Sequence, residues 1–203
     1  MSIGRHIECT SSVLEAFILF KELYPSYRTH EIEEIVNNAA MFIENKQRKD
    51  GSCLALGVYV SHKEHFFEVK GLVHAGHTYE TSSAINKACN FLLSKQQTTG
   101  GWGESYLSSR TGNYVGGGTP HAVNAAWAML ALIYAGQVAR DPIPLYGAAR
   151  ELINMQLDTG DFPQQEHVGC FNSSLSMNYP NYRNLYPIWA LGEFHRRLLA
   201  NKK

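Results

Sequence analysis

The side chains with the greatest chemical potential in this chain are few and scattered. His62-x-x-His65 and His74-x-x-His77 have the spacing of metal-ligand pairs. No carboxylate or cysteine completes either set, so no metal site is expected. Cys9, Cys53, Cys89 and Cys170 lack C-x-x-C spacing. The opening "MSIGRHIECTSS" holds no apolar stretch that would serve as a signal peptide, so these cysteines read as reduced thiols rather than a disulfide or zinc framework. No cofactor is called for. Lysine plus arginine (18) equals aspartate plus glutamate (18), and a net charge of zero argues against nucleic acid, which needs a basic footprint.

The most informative pattern is one of spacing. In "LLSKQQTTGGWGESY", Gln96, Gly100 and Trp102 stand at offsets of four and two. Gln156, Gly160 and Phe162 repeat those offsets in "INMQLDTGDFPQQE", and Gln47 and Gly51 do so with Cys53 in place of the aromatic. Such a unit has a physical logic. Glycine permits the left-handed turn that ends a helix. The glutamine amide can bond exposed carbonyls at that end and free N–H groups at the start of the next helix. The aromatic ring then covers the amide and shields its hydrogen bonds. The unit is expected to be structural, pinning helices at a rim, rather than catalytic.

The elements that must carry these units are helical throughout. Ile32, Ile35, Val36, Ala39 and Ile43 follow helical spacing, as do Ile85, Ala88, Cys89 and Leu92, and Leu145, Ala148, Ala149, Leu152 and Ile153. "TSSVLEAFILFKELYP" and "HAVNAAWAMLALIYAG" are apolar on nearly all faces, as helices packed on both sides would be. The second, broken by Asn124, falls short of the ~20 residues of a membrane span. Thr10, Thr81 and Thr119 are expected caps; Gly76, Gly100, Gly136 and Gly160 mark helix ends, and "RDPIPL" a helix start. Apolar and amphipathic helices alternate, with glutamines 49 and 60 residues apart. The expected fold is all-α: a single unit over residues 1–203, a partial α/α barrel or toroid of helical hairpins.

The repeat resembles that of the triterpene cyclases, the oxidosqualene and squalene–hopene cyclases. "GGWGESYLS", "AWAMLALIYAGQ", "RDPIPLYGAARELINMQ", "GDFPQQE" and "YRNLYPIWALGEF" resemble, in order, the C-terminal part of a plant oxidosqualene cyclase. The resemblance spans nearly the whole chain but only the last quarter or so of a full-length enzyme. It implies an isomerase of triterpenoid or sterol biosynthesis, of the terpene cyclase/mutase family, that cyclises 2,3-oxidosqualene. It also implies the cytoplasmic side of the endoplasmic reticulum membrane or a lipid droplet as the location.

In that family an aspartic acid within Asp-Cys-Thr-Ala-Glu opens the epoxide, and the motif is absent from this sequence. Glu8 of "ECTSS" is rejected as its substitute, because the following "VLEAFILFKELYP" resembles a later family segment. There Cys9 would support the acid by a hydrogen bond. Read without the resemblance, Cys9 is a buried thiol at a helix start. In "VGCFNSSLSMNYPNYRNLYP", Phe171 and Tyr179 match cavity aromatics and Tyr182 follows at the family's spacing, although Pro180 replaces a small residue. Aromatic faces attract a desolvated cation by ~1–2 kcal/mol without quenching it. Taken alone, these three residues read as packing.

Residues 53–67 depart from the family. A tryptophan- and glycine-rich run is replaced by "CLALGVYVSHKEHFF" at unchanged length. Regrouping the codons of Leu54–Glu64 from each third base allows Gly-Ser-Trp-Gly-Val-Cys-Phe-Thr, which points to a frameshift with compensation near Phe66 or Phe67. The chain alone is therefore expected to lack cyclase activity. The alternatives are a non-catalytic module associating with a full-length cyclase or a lipid surface, an inert pseudogene product, and a protein prenyltransferase β-subunit-like module. The last would need an Asp/Cys/His zinc set that cannot be assembled here.

Overall fold

A computed structural model describes residues 6–53, 62–167 and 179–201. Among them lie nine helices: α1 (Ile7–Leu23), α2 (Thr29–Glu44), α3 (His62–His74), α4 (Ser83–Lys95), α5 (Leu107–Thr111), α6 (Ala122–Tyr134), α7 (Gln137–Arg140), α8 (Ile143–Met155) and α9 (Pro180–Ala200). Two isolated β-bridges, Gln47 with Cys53 and Glu104 with Gly116, are the extended pairings among these residues.

The helices form two layers. In the inner layer α1 packs on α3, α3 on α6, and α6 on α9. In the outer layer α2 lies against α1, α4 against α3 and α6, and α8 against α6. The reason is legible in composition. Helix α6 buries every residue from Ala122 to Ile133, which a helix apolar all round requires. Helices α4 and α8 bury one stripe each, Ile85–Ala88–Cys89–Leu92 and Leu145–Ala148–Ala149–Leu152. Each fully buried Leu or Met contributes ~1.5–3 kcal/mol.

Several expectations need correction. Helix α1 is not covered on both sides: Val13, Leu19, Phe20 and Leu23 are exposed, because no described element packs on that face. Ile35 and Ile153 are exposed too, at the edges of their stripes. None of the three threonines is a cap. Thr10 lies inside α1, which starts after His6. The caps of α4 and α6 are Ser82, accepting from Ile85 N–H, and His121, accepting from Val123 N–H; each has the extended backbone a cap requires.

Gly76, Gly100, Gly136 and Gly160 all take positive φ just beyond helix ends, and Pro142 and Pro144 sit at the start of α8. Cys53 is fully buried, residues 54–61 of the divergent run fall outside the described residues, and His62–Phe67 begin α3.

Candidate functional site: the rim turns and the inner aromatic wall

The three glutamine–glycine units form the same turn. The N–H after each glutamine donates to the carbonyl after each glycine: Arg48 to Ser52 (2.8 Å), Gln97 to Gly101 (2.9 Å) and Leu157 to Asp161 (2.9 Å). The glycine N–H returns to Arg48, Gln97 or Leu157. Gly51, Gly100 and Gly160 have φ of 84°, 101° and 89°, which only glycine adopts without strain. Cys53, Trp102 and Phe162, two residues on, are all fully buried.

The side chains beyond the turn differ. Gln96 Nε2 donates to Gly100 O (2.7 Å) and across to Pro144 O in the first turn of α8 (2.8 Å). Gln47 Nε2 donates to Ala84 O, in the first turn of α4 (2.7 Å), while His65 Nε2 meets Gly51 O (3.1 Å). Among the described residues Gln156 Nε2 reaches only its own Gly160 O (2.8 Å). The amide thus meets carbonyls of the next helix, not its N–H groups as expected. The NH₂ is its donating end, and the first-turn carbonyl faces the rim. Trp102 also donates its indole N–H to Leu92 O (2.7 Å), anchoring the ring to the helix it follows.

The acid of "GGWGES" is structural as well. Glu104 is buried, and its Oε2 accepts from His62 N–H (3.3 Å) and meets His62 Nδ1 (3.1 Å), placing a carboxylate at the start of α3. The two histidine pairs separate in space. His65 stacks on Phe91 at 4.9 Å. His74 Nδ1 lies 2.7 Å from Lys70 O, and His77 Nδ1 lies 3.5 Å from Glu44. Among the described residues no group of three His, Cys, Asp or Glu is placed to hold a metal.

The inner layer carries a run of aromatic rings. Tyr179, half exposed at the start of α9, lies 5.3 Å from Tyr182. Tyr182 meets Trp127 edge-on at 5.7 Å and Tyr186 at 5.5 Å. Tyr186 stacks on Trp189 at 5.8 Å, and both approach Phe66 of α3, at 6.0 and 5.6 Å. Tyr134 continues the run at 6.2 Å from Phe66. The wall already holds one cation: Lys70 Nζ stands 5.2 Å from the Trp189 ring centre and 5.7 Å from that of Phe66. Of the anticipated aromatics, Tyr179 and Tyr182 belong to this run, and Phe171 falls outside the described residues. Tyr186 and Trp189 were not anticipated, although 179, 182, 186 and 189 keep helical spacing. Trp127, Tyr134 and Phe66 converge from α6 and α3 and leave no local signal.

Charges flank the wall. Glu8 Oε2 accepts from Lys63 Nζ at 2.7 Å, and Glu64 lies 3.9 Å from the same ammonium. Burial pushes the Glu64 carboxyl up to about 7 against the pull of Lys63. Burial also drives Glu68, fully inside the core with neither carboxyl oxygen hydrogen-bonded among the described residues, well above the usual carboxylate range, against a smaller opposing pull from nearby Cys53 and Gln47. Cys9 lies in the first turn of α1 as a helix-start residue, but it is exposed and not the buried thiol expected from the sequence alone.

At the rim, a cleft of about 410 Å³ is lined by Glu104, Gly116–Gly118, His121 and Gln164–His167. Burial lowers His121 to about 4, and its neutral ring both caps α6 through Nδ1 and meets Glu166 O through Nε2 at 3.1 Å.

The profile of the squalene–hopene cyclase C-terminal domain matches residues 7–196. The chain belongs to that family. Relatives of this cyclase-family chain include alpha-onocerin synthase LCD of Lycopodium clavatum, 41% identical over 97% of this chain and 26% of the relative. Lanosterol synthase erg7A of Aspergillus fumigatus is 40% identical over 94% of this chain and 25% of its own length. The lanosterol synthase of Mus musculus is 36% identical over 93% and 26%. The cyclase-family chain thus spans about a quarter of the length of these relatives. Among its described residues no helix is long and apolar enough to cross a membrane.

Proposed function

We propose that this chain forms an arc of an oxidosqualene-cyclase barrel, contributing cavity wall for cyclisation of 2,3-oxidosqualene, an isomerase reaction of triterpenoid or sterol formation. The observation that carries this reading is the aromatic run Tyr179–Tyr182–Tyr186–Trp189 on the inner layer, joined by Trp127 and Phe66. Rings of this kind stabilise a migrating cation and offer no nucleophile. Phe171 would extend the wall, and Cys9 would support an acid supplied from elsewhere.

The chain by itself is not a cyclase. General acid catalysis needs a proton donor within hydrogen-bond reach of the epoxide. Glu8 is engaged by Lys63 and does not fill that role. A cation on an open wall would be captured by water before rings closed. Purified chain incubated with 2,3-oxidosqualene in detergent is expected to give no cyclic triterpenol by mass spectrometry, and clear turnover overturns this. Replacing the corresponding quarter of a lanosterol synthase by residues 7–196 tests the wall itself. A hybrid that folds but binds no substrate analogue would refute the cavity role.

The exposed apolar face of α1 (Val13, Leu19, Phe20, Leu23) favours a second reading, a non-catalytic module that docks on an intact cyclase or on a lipid surface. Such docking would place it at the endoplasmic reticulum membrane or a lipid droplet. The divergent run at 53–67 fits a compensated frameshift in a decaying or mis-joined gene. In-frame genomic codons that cannot be regrouped refute that origin.

A further inference from the structure

Two of the three rim turns are filled and one is open. The Gly51 turn abuts α4: a β-carbon there would stand 2.5 Å from Lys87 O. The Gly100 turn abuts α8, with the same test atom 2.4 Å from the Gly147 carbonyl carbon. In both cases the glutamine reaches the carbonyl of the second residue of the incoming helix, Ala84 or Pro144, and the glycine meets its fifth, Lys87 or Gly147. The occupant of such a turn is therefore the first turn of an outer helix. Around Gly160, by contrast, no described residue lies within 4 Å of an added β-carbon, and among the described residues Gln156 bonds only within its own turn. Ile153, whose counterpart Leu93 packs against the core in the filled copy, is 58% exposed, and Leu157 is 47% exposed.

Among the described residues one outer helix start is correspondingly open. Helix α2 begins at Thr29, so its second and fifth residues are His30 and Glu33, both exposed. Among the described residues no glutamine amide reaches this turn. The inner layer shows the same pairing of ends. Its first helix, α1, exposes Val13 and Leu19, and its last, α9, exposes Leu185 and Ile188.

We infer that two copies of this chain associate head to tail, the Gln156–Gly160 turn of one receiving the first turn of α2 of the other, with α9 laid against α1. The contact is heterologous, so it continues the α1–α3–α6–α9 succession from one molecule into the next. It rests on the repeat geometry and not on any cyclase activity.

Sedimentation velocity over a concentration series tests the idea. The tail variant Gln156→Ala/Gly160→Lys alters exposed positions where a side chain meets empty space in the single chain. In the filled geometry its β-carbon would collide with backbone. The head variant Val13→Glu/Leu19→Glu charges the exposed face of α1. Wild-type chain should show mass rising beyond the monomer with concentration. Each variant, with helical circular dichroism retained, should associate at least tenfold more weakly. An equimolar mixture of the two variants should regain dimer and nothing larger, since one intact head then meets one intact tail. A wild-type chain that stays monomeric overturns the inference, whether or not it sediments with phosphatidylcholine vesicles. So does association that both variants leave unchanged, or a mixture that fails to pair. Should either variant lose its circular dichroism, limited proteolysis across Gln156–Gly160 and Thr29–Glu33 of the wild type decides. Protection of both segments at high concentration supports the contact, and equal cleavage at all concentrations refutes it.

Discussion

Gly100 and Gly147 meet backbone against backbone, leaving no room for a side chain between the rim turn and α8. Gly160, in the same conformation, has no described residue within 4 Å of where a side chain would begin. Gly160→Ala should therefore incur only left-handed strain, about 1 kcal/mol. Gly100→Ala adds a forced separation of turn and helix and should destabilise by about 2–4 kcal/mol. Urea unfolding of the two variants compares them. Equal losses would show that the close approach contributes nothing.

The glutamines provide a second contrast. Gln96→Ala removes two hydrogen bonds, one of them linking α4 to α8, and should destabilise by about 1–3 kcal/mol. Gln156→Ala removes one exposed bond within its own turn and should change stability by less than about 1 kcal/mol. Thermal or urea melts of the isolated variants at low concentration read the difference. A larger effect at Gln156 would contradict the assignment of the linking bond to Gln96.

The rim turns were legible in sequence because their chemistry is narrow. Positive φ demands glycine, and the buried place two residues on favours a large ring. Burial of α6 was legible for a similar reason, since apolar residues all round it fit only an enclosed helix. The identical argument failed for α1, whose composition matches a covered helix while Val13 and Leu19 face outward in this chain. The caps of α4 and α6 were misplaced by one and two residues, because Thr81, Ser82, Thr119 and His121 all offer an acceptor, while Thr10 missed by four and lies inside α1. The aromatic wall was half visible. Tyr179 and Tyr182 lie on one helix, but Phe66 and Trp127 reach it only through tertiary packing. The buried Glu64 and Glu68 were not anticipated, because a carboxylate's burial depends on tertiary packing and leaves no local signal in the sequence.

His121 should titrate far from an exposed imidazole. Burial holds its pKa near 4, below the ordinary 6.5, and its Nδ1 must stay unprotonated to accept from Val123 N–H. The unfolded chain binds this proton below 6.5 and the folded chain only near 4. Its contribution is therefore full above pH 6.5 and is lost as pH falls toward 4. His121→Asn keeps a capping acceptor and should remove that acid-side loss, while His121→Ala should destabilise by about 1 kcal/mol at neutral pH. Imidazole NMR of the folded chain checks the tautomer directly. A ring that protonates near 6.5 would refute the buried-cap reading.

Glu64 should impose the opposite slope. Its folded pKa of about 7 lies above the ordinary 4.5, because burial in α3 outweighs the attraction of Lys63. Between these values the folded chain holds a proton that the unfolded chain has released. Stability from this group is present below pH 4.5 and declines as pH rises through about 7, by on the order of 3 kcal/mol across the window. Glu68, raised by burial in the same direction, adds to the decline. The His121 and Glu64 windows overlap between about 4.5 and 6.5 with opposite signs, so the wild-type curve blends the two. Single variants separate them. Glu64→Gln keeps the shape and removes the ionisation, and it should match wild type near pH 4.5 while exceeding it at pH 8. Urea unfolding at those two pH values provides the measurement. A Glu64→Gln chain no more stable than wild type at pH 8 would show that Lys63 and Glu8 already neutralise the carboxylate, and that its burial is not costly.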